Sequence, residues 1–113
     1  MSFPDHIRKD EARIIEGVID GVLKRGHNIS VYDGEETSLI NSTDKAAIQR
    51  ETAATEITYF RIFSERKAIV GYFTFIHGNG CDVIHDHSEN QLCNEIFGEV
   101  EEFTDWDKYE GAA

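Results

Sequence analysis

Between Glu56 and His87 the chain reads EITYFRIFSERKAIVGYFTFIHGNGCDVIHDH, and no other stretch constrains its fold so tightly. Ile57–Phe63 and Ala68–Ile76 are rich in Ile, Val, Tyr, Phe and Thr, the residues that fit a pleated, half-buried surface. Ser64-Glu65-Arg66-Lys67 between them is a polar link of hairpin length. A second turn signal, Gly78-Asn79-Gly80, leads into Cys81–His85. The economical reading is a three-stranded antiparallel meander, with strands at Ile57–Phe63, Ala68–Ile76 and Cys81–His85.

The flanking segments supply helices and a second hairpin. Ile7, Ile14, Ile15, Val18, Ile19, Val22 and Leu23 recur at three- and four-residue steps, which predicts an amphipathic helix over Asp5–Arg25, stopped by Gly26. Gly17 and Gly21 lie inside it, at a spacing that permits close approach of a neighbouring element. Ile29–Tyr32 alternates apolar and polar residues, Asp33-Gly34 marks a tight turn, and Thr37–Ile40 returns as a partner strand. Glu35 and Glu36 at that turn read as solvated acids. Ser42-Thr43-Asp44 caps a short helix over Lys45–Ala54 anchored by Ile48. After His87, Ser88 or Asn90 caps a short helix through Phe97, with Gly98 as its stop.

The expected architecture is α+β: the N-terminal helix packed on an antiparallel sheet made of the hairpin and the meander, with two short helices and an acidic tail. A chain of 113 residues closes one core, so residues 1–98 form a single domain. Residues 99–113 are read as a tail that docks in part through Phe103, Trp106 and Tyr109, which recur every three residues.

Charge separates the functional classes. Twenty-two acids stand against eleven bases, for a net charge of −11. The imbalance sits in the second half: residues 51–113 hold thirteen acids and four bases, or −9, and residues 1–50 hold nine and seven, or −2. Such a surface repels nucleic-acid phosphates and anionic lipid, so neither is an expected direct partner. The natural partner is a basic protein surface, met by Asp82, Asp86, Glu89, Glu99, Glu101, Glu102, Asp105 and Asp107, with Trp106 as the anchor. A homodimer is a further possibility. No signal-peptide pattern and no apolar run near the ~18 residues of a membrane span are present, which points to a cytoplasmic protein with reduced cysteines.

His77, Cys81, His85, His87 and Cys93 lie close together in sequence and include the residue types zinc prefers. Their spacing argues otherwise, because neither a Cys-x2-Cys knuckle nor a His-Glu-x-x-His helix is present. No metal and no cofactor are therefore expected. The alternative is a metal-binding or thiol/imidazole catalytic domain built on Cys81, His85 and His87, with Cys93, Asp82 or Asp86 completing an activated-thiol site. Gly78-Asn79-Gly80 lacks the helix and lysine of a phosphate loop and reads as a turn.

Three segments, ISVYDGEE (29–36), STDK (42–45) and GNGCDVIHDHSEN (78–90), resemble the landmarks of a family of small uncharacterised proteins encoded by tailed bacteriophages and prophages. The resemblance spans roughly residues 15–97. It implies an accessory protein acting in the bacterial cytoplasm and brings no catalytic residues with it. Together with the charge, it gives the expected function: a non-enzymatic acidic protein that binds a basic host protein, in the manner of a nucleic-acid-mimicking inhibitor.

Overall fold

The computed structural model describes residues 9–78 and 83–103. Three helices and five strands follow one another as α1 (Lys9–Leu23), β1 (Asn28–Tyr32), β2 (Thr37–Ser42), α2 (Lys45–Ala53), β3 (Ile57–Phe63), β4 (Ile69–Ile76), β5 (Ile84–His87) and α3 (Gln91–Phe103). The strands form one antiparallel sheet in the order β2-β1-β3-β4-β5, so hairpin and meander are joined by β1 pairing with β3. The fold is α+β, as expected.

All three helices pack on one face of the sheet. From α1 come Ile14, Ile15, Val18, Ile19 and Val22, and from α3 come Cys93, Ile96 and Val100. They meet Ile29, Val31, Phe60, Ile62, Phe73 and Phe75, which alternate along β1, β3 and β4 as a strand's two-residue period requires. Phe60 and Phe75 pack edge to face at 4.8 Å. Truncating any of the three buried phenylalanines to Ala should cost about 3–5 kcal/mol.

The polypeptide turns where the local chemistry directs it. Gly26 takes φ +83 after α1, while its N–H and that of His27 return to the carbonyls of Leu23 and Val22; this closes the helix end. Asp33 accepts from the backbone N–H groups of Glu35 and Glu36, both at 2.8 Å, and so shapes the β1–β2 turn. Asp44 caps α2 through Ala47 N–H. Gly21 does permit a close approach: a Cβ there would stand 3.1 Å from Ile96 of α3.

Two sequence expectations need correction. The fifth strand covers Ile84–His87 among the described residues and so runs two residues past the expected end at His85, while Cys81 and Asp82 of the expected strand lie outside the described residues. Ile76 N–H donates to Val83 C=O, immediately before β5 begins. In addition, α3 does not stop at Gly98 but runs to Phe103. Ile96 and Val100, one turn apart and both buried, carry the helix across the glycine because tertiary burial outweighs glycine's cost of about 1 kcal/mol. Glu99 and Val100, expected at the start of a tail, are thus part of a helix nearly as long as α1.

Candidate functional site

Of the described residues suited to catalysis, Cys93 is buried and His87 is held between two rings, while His85 is exposed. Cys93 is fully buried with its sulfur against Gly71, and burial pushes its thiol up, away from the thiolate a nucleophile needs. His87 lies between the rings of Phe73 at 5.4 Å and Phe97 at 4.9 Å, and its Nδ1 is 2.9 Å from Ser88 C=O. His85 is exposed on the edge strand. Cys81 and Asp82 lie outside the described residues, as do Asp105, Trp106 and Asp107. Among the described residues, no three His, Cys, Asp or Glu side chains are grouped to hold a metal ion.

A hydroxyl–imidazole–carboxylate series that sequence reasoning missed joins residues from α1, β3 and the turn after β4. Thr58 Oγ1 is 3.3 Å from His77 Nε2, and His77 Nδ1 is 3.8 Å from Glu11 Oε1. Its order resembles that of a nucleophilic triad. Its burial does not: Thr58 is 0% exposed, and its hydroxyl donates to Thr52 C=O at 3.1 Å. Glu11 accepts from Gly78 N–H with both carboxylate oxygens, at 3.0 and 3.1 Å, which ties α1 to the turn after β4. No contiguous sequence signal could have assembled residues 11, 58 and 77.

The surface carboxylates divide into paired and unpaired sets. Lys45 holds Glu16 and Asp20, both at 2.9 Å. Arg25 grips Glu99 with two parallel bonds of 3.1 Å, joined by Lys24 at 3.0 Å. Both bases hold the Glu99 carboxyl below its ordinary range, Arg25 more strongly than Lys24. Asp86 accepts from Tyr72 O–H at 3.1 Å and from His87 N–H at 2.9 Å. By contrast Glu35, Glu36, Glu51, Glu56, Glu65, Glu89 and Glu101 make no ion pair among the described residues.

Four of these gather at one end of the sheet. Glu35 and Glu36 occupy the β1–β2 turn, and Glu56 precedes β3, whose Tyr59 pairs with Tyr32 beside that turn. Glu51 belongs to the last turn of α2, three residues before the link to β3, and Arg50 is the basic residue of that turn. Of the acids singled out from sequence, the structure leaves Glu89 and Glu101 exposed and without an ion pair among the described residues and commits Asp86 and Glu99 to neighbours. The side chain of Glu102 lies outside the description.

The second surface is the sheet face opposite the helices, which no described element covers. Tyr32 pairs with Tyr59, Tyr59 with Thr74, Arg61 with Tyr72 and Phe63 with Ile69, so these side chains share that face. Ile57 is 40%, Ile69 61% and Tyr72 39% exposed. Tyr32, Tyr59, Arg61, Ile69, Tyr72 and Thr74 line a shallow groove of about 480 Å³. The Arg61 guanidinium lies 4.6 Å from the centre of the Tyr32 ring. Both edges of the sheet are blunted. β2 carries two register shifts and Asn41 at φ +48, while β5 is four residues long and Asp86 caps the His87 N–H. No family model, curated protein or solved structure matches the chain.

Proposed function

We propose that the protein is a non-enzymatic binding module that docks on a basic protein surface. One observation supports this reading above the others: internal pairing uses Lys24, Arg25 and Lys45 against the chain's own acids and leaves Glu35, Glu36, Glu51 and Glu56 together without ion-pair partners among the described residues. Four carboxylates beside Arg50 leave an excess of negative charge at one end of the molecule, and such an excess attracts a cationic partner over roughly a screening length, about 8 Å at physiological salt.

The segments at 29–36, 42–45 and 78–90 that resemble phage-encoded proteins make a host protein the natural target, and a surface that ordinarily holds phosphates fits a row of carboxylates. The test immobilises the full chain and challenges it with bacterial lysate at about 50 and 300 mM salt. Basic proteins should be retained at the lower salt and lost with Glu35→Gln/Glu36→Gln/Glu51→Gln/Glu56→Gln. Retention indifferent to both salt and these substitutions would refute the reading.

A further inference from the structure

We infer that the open face of the sheet is the seat of a second copy of the chain, joined face to face, with Arg61 of one copy set against Asp86 of the other. The argument begins with what the face lacks. Nearly one residue in five of this protein is acidic, 22 of 113, yet the cross-strand partners on this face are Tyr, Ile, Phe and Thr with the uncharged Asn28 and Ser30 of β1, and its charges are Arg61 and, on β5, Asp86 opposite Thr74. The face is apolar, aromatic and self-neutral on a molecule of net charge −11.

That distribution selects the occupant. A cationic protein is drawn to the carboxylates elsewhere on the surface and gains nothing electrostatic from the face that lacks them. A second copy carries the same −11 and can approach closely only over a surface cleared of acid. Depletion of charge with enrichment of Tyr and Arg is also the composition of an interface centre.

The two charges are placed for self-complementarity. Arg61 on β3 pairs across to Tyr72 on β4, and the Tyr72 hydroxyl reaches Asp86 on β5. Cation and anion therefore flank Tyr72. A two-fold axis passing beside Tyr72 sets each Arg61 opposite the other copy's Asp86 in two equivalent pairs, the self-complementary pattern of a two-fold interface. The Asp86 carboxylate retains lone pairs for a guanidinium after accepting from Tyr72 and His87. Sheets stacked this way lie ~10 Å apart with strands nearly aligned, which lets Ile69 and Tyr72 of each copy fill the groove of the other. Pairing through the edges is disfavoured by the bulges of β2 and the capped N–H of β5.

Sedimentation of the full chain across a concentration series tests this. The wild type should sediment at twice 12.8 kDa at about 50 µM. Arg61→Asp and Asp86→Arg should each raise the dimer Kd by about tenfold or more, and the reciprocal double variant should restore it to within about threefold of wild type. Ile69→Asp, at an open position, should give a folded monomer and keeps the test decisive if a charge variant fails to fold. A wild type that stays monomeric throughout the series overturns the inference, and so does a dimer indifferent to all three single substitutions. A double variant no tighter than the singles overturns the Arg61–Asp86 arrangement. A monomer that loses a captured protein on Tyr72→Ala would assign the face to that protein instead.

Discussion

Gly71 and Cys93 meet so closely that a Cβ built on Gly71 would lie 2.5 Å from the Cys93 sulfur. This contact seats the N-terminal part of α3 on β4, beside the Asn90 side chain that donates to Val70 C=O and caps Cys93 N–H. Gly71→Ala should therefore destabilise the fold by about 1–3 kcal/mol, the usual cost of overpacking. Combined with Cys93→Ala, which removes the obstructing sulfur, it should cost far less than the sum of the two single changes. Chemical denaturation of the four proteins in a double-mutant cycle checks the coupling.

The same burial protects the thiol. In a Cys81→Ser background, Cys93 should react with an aromatic disulfide reagent only as fast as the protein opens, and at the rate of a free thiol once unfolded. Equal rates with and without denaturant would contradict the buried sulfur.

Gln49 on α2 is 2% exposed, and both side-chain polar atoms lack a hydrogen-bond partner among the described residues. A buried amide left unpaired costs about 1–3 kcal/mol, so an apolar side chain of similar shape should relieve that cost. Gln49→Met should raise the melting temperature, and calorimetry would show the shift. An unchanged or lowered temperature would mean that the amide is satisfied in solution.

Much of this architecture is legible in the residues. Ile57–Phe63 declares itself because β-branched and aromatic side chains fill it and a polar link ends it. The cap at Asp44 and the stop at Gly26 are local chemistry, readable without tertiary knowledge. The passage of α3 through Gly98 is less visible, since a glycine normally ends a helix and only the burial of Val100 against the core overrules it. The end of β5 is hidden for a related reason: His85 to His87 is wholly polar, and only the pairing of Asp86 with Thr74 and of His87 with Phe73 shows that the strand continues past His85. The candidate surfaces are less legible still. Glu35 and Glu36 read as ordinary turn acids until the fold brings Glu51 and Glu56 to the same end of the sheet, and nothing local marks Tyr32, Tyr59 and Tyr72 as sharing an uncovered face.

Glu99 gives a pH signature. Its carboxyl is held below the ordinary value of 4.5, by Arg25 first and Lys24 second. A depressed folded-state value means that the stabilisation is present above the unfolded value and is lost as pH falls through the folded one. Glu99→Gln should therefore lower the melting temperature at neutral pH, and the gap to wild type should close as the pH is brought well below 4.5. A gap independent of pH would show that packing, not charge, carries the contribution of Glu99.

The most direct test of the acidic docking surface is the association rate constant with a basic protein recovered from lysate, followed as salt rises from about 50 to 300 mM. For the wild type the rate should fall by about tenfold or more. For Glu35→Gln/Glu36→Gln/Glu51→Gln/Glu56→Gln it should start low and stay nearly flat, with the circular dichroism spectrum unchanged. A wild-type rate that ignores salt, or a folded variant that associates as fast and as salt-sensitively as wild type, would contradict the assignment of these carboxylates as the docking surface.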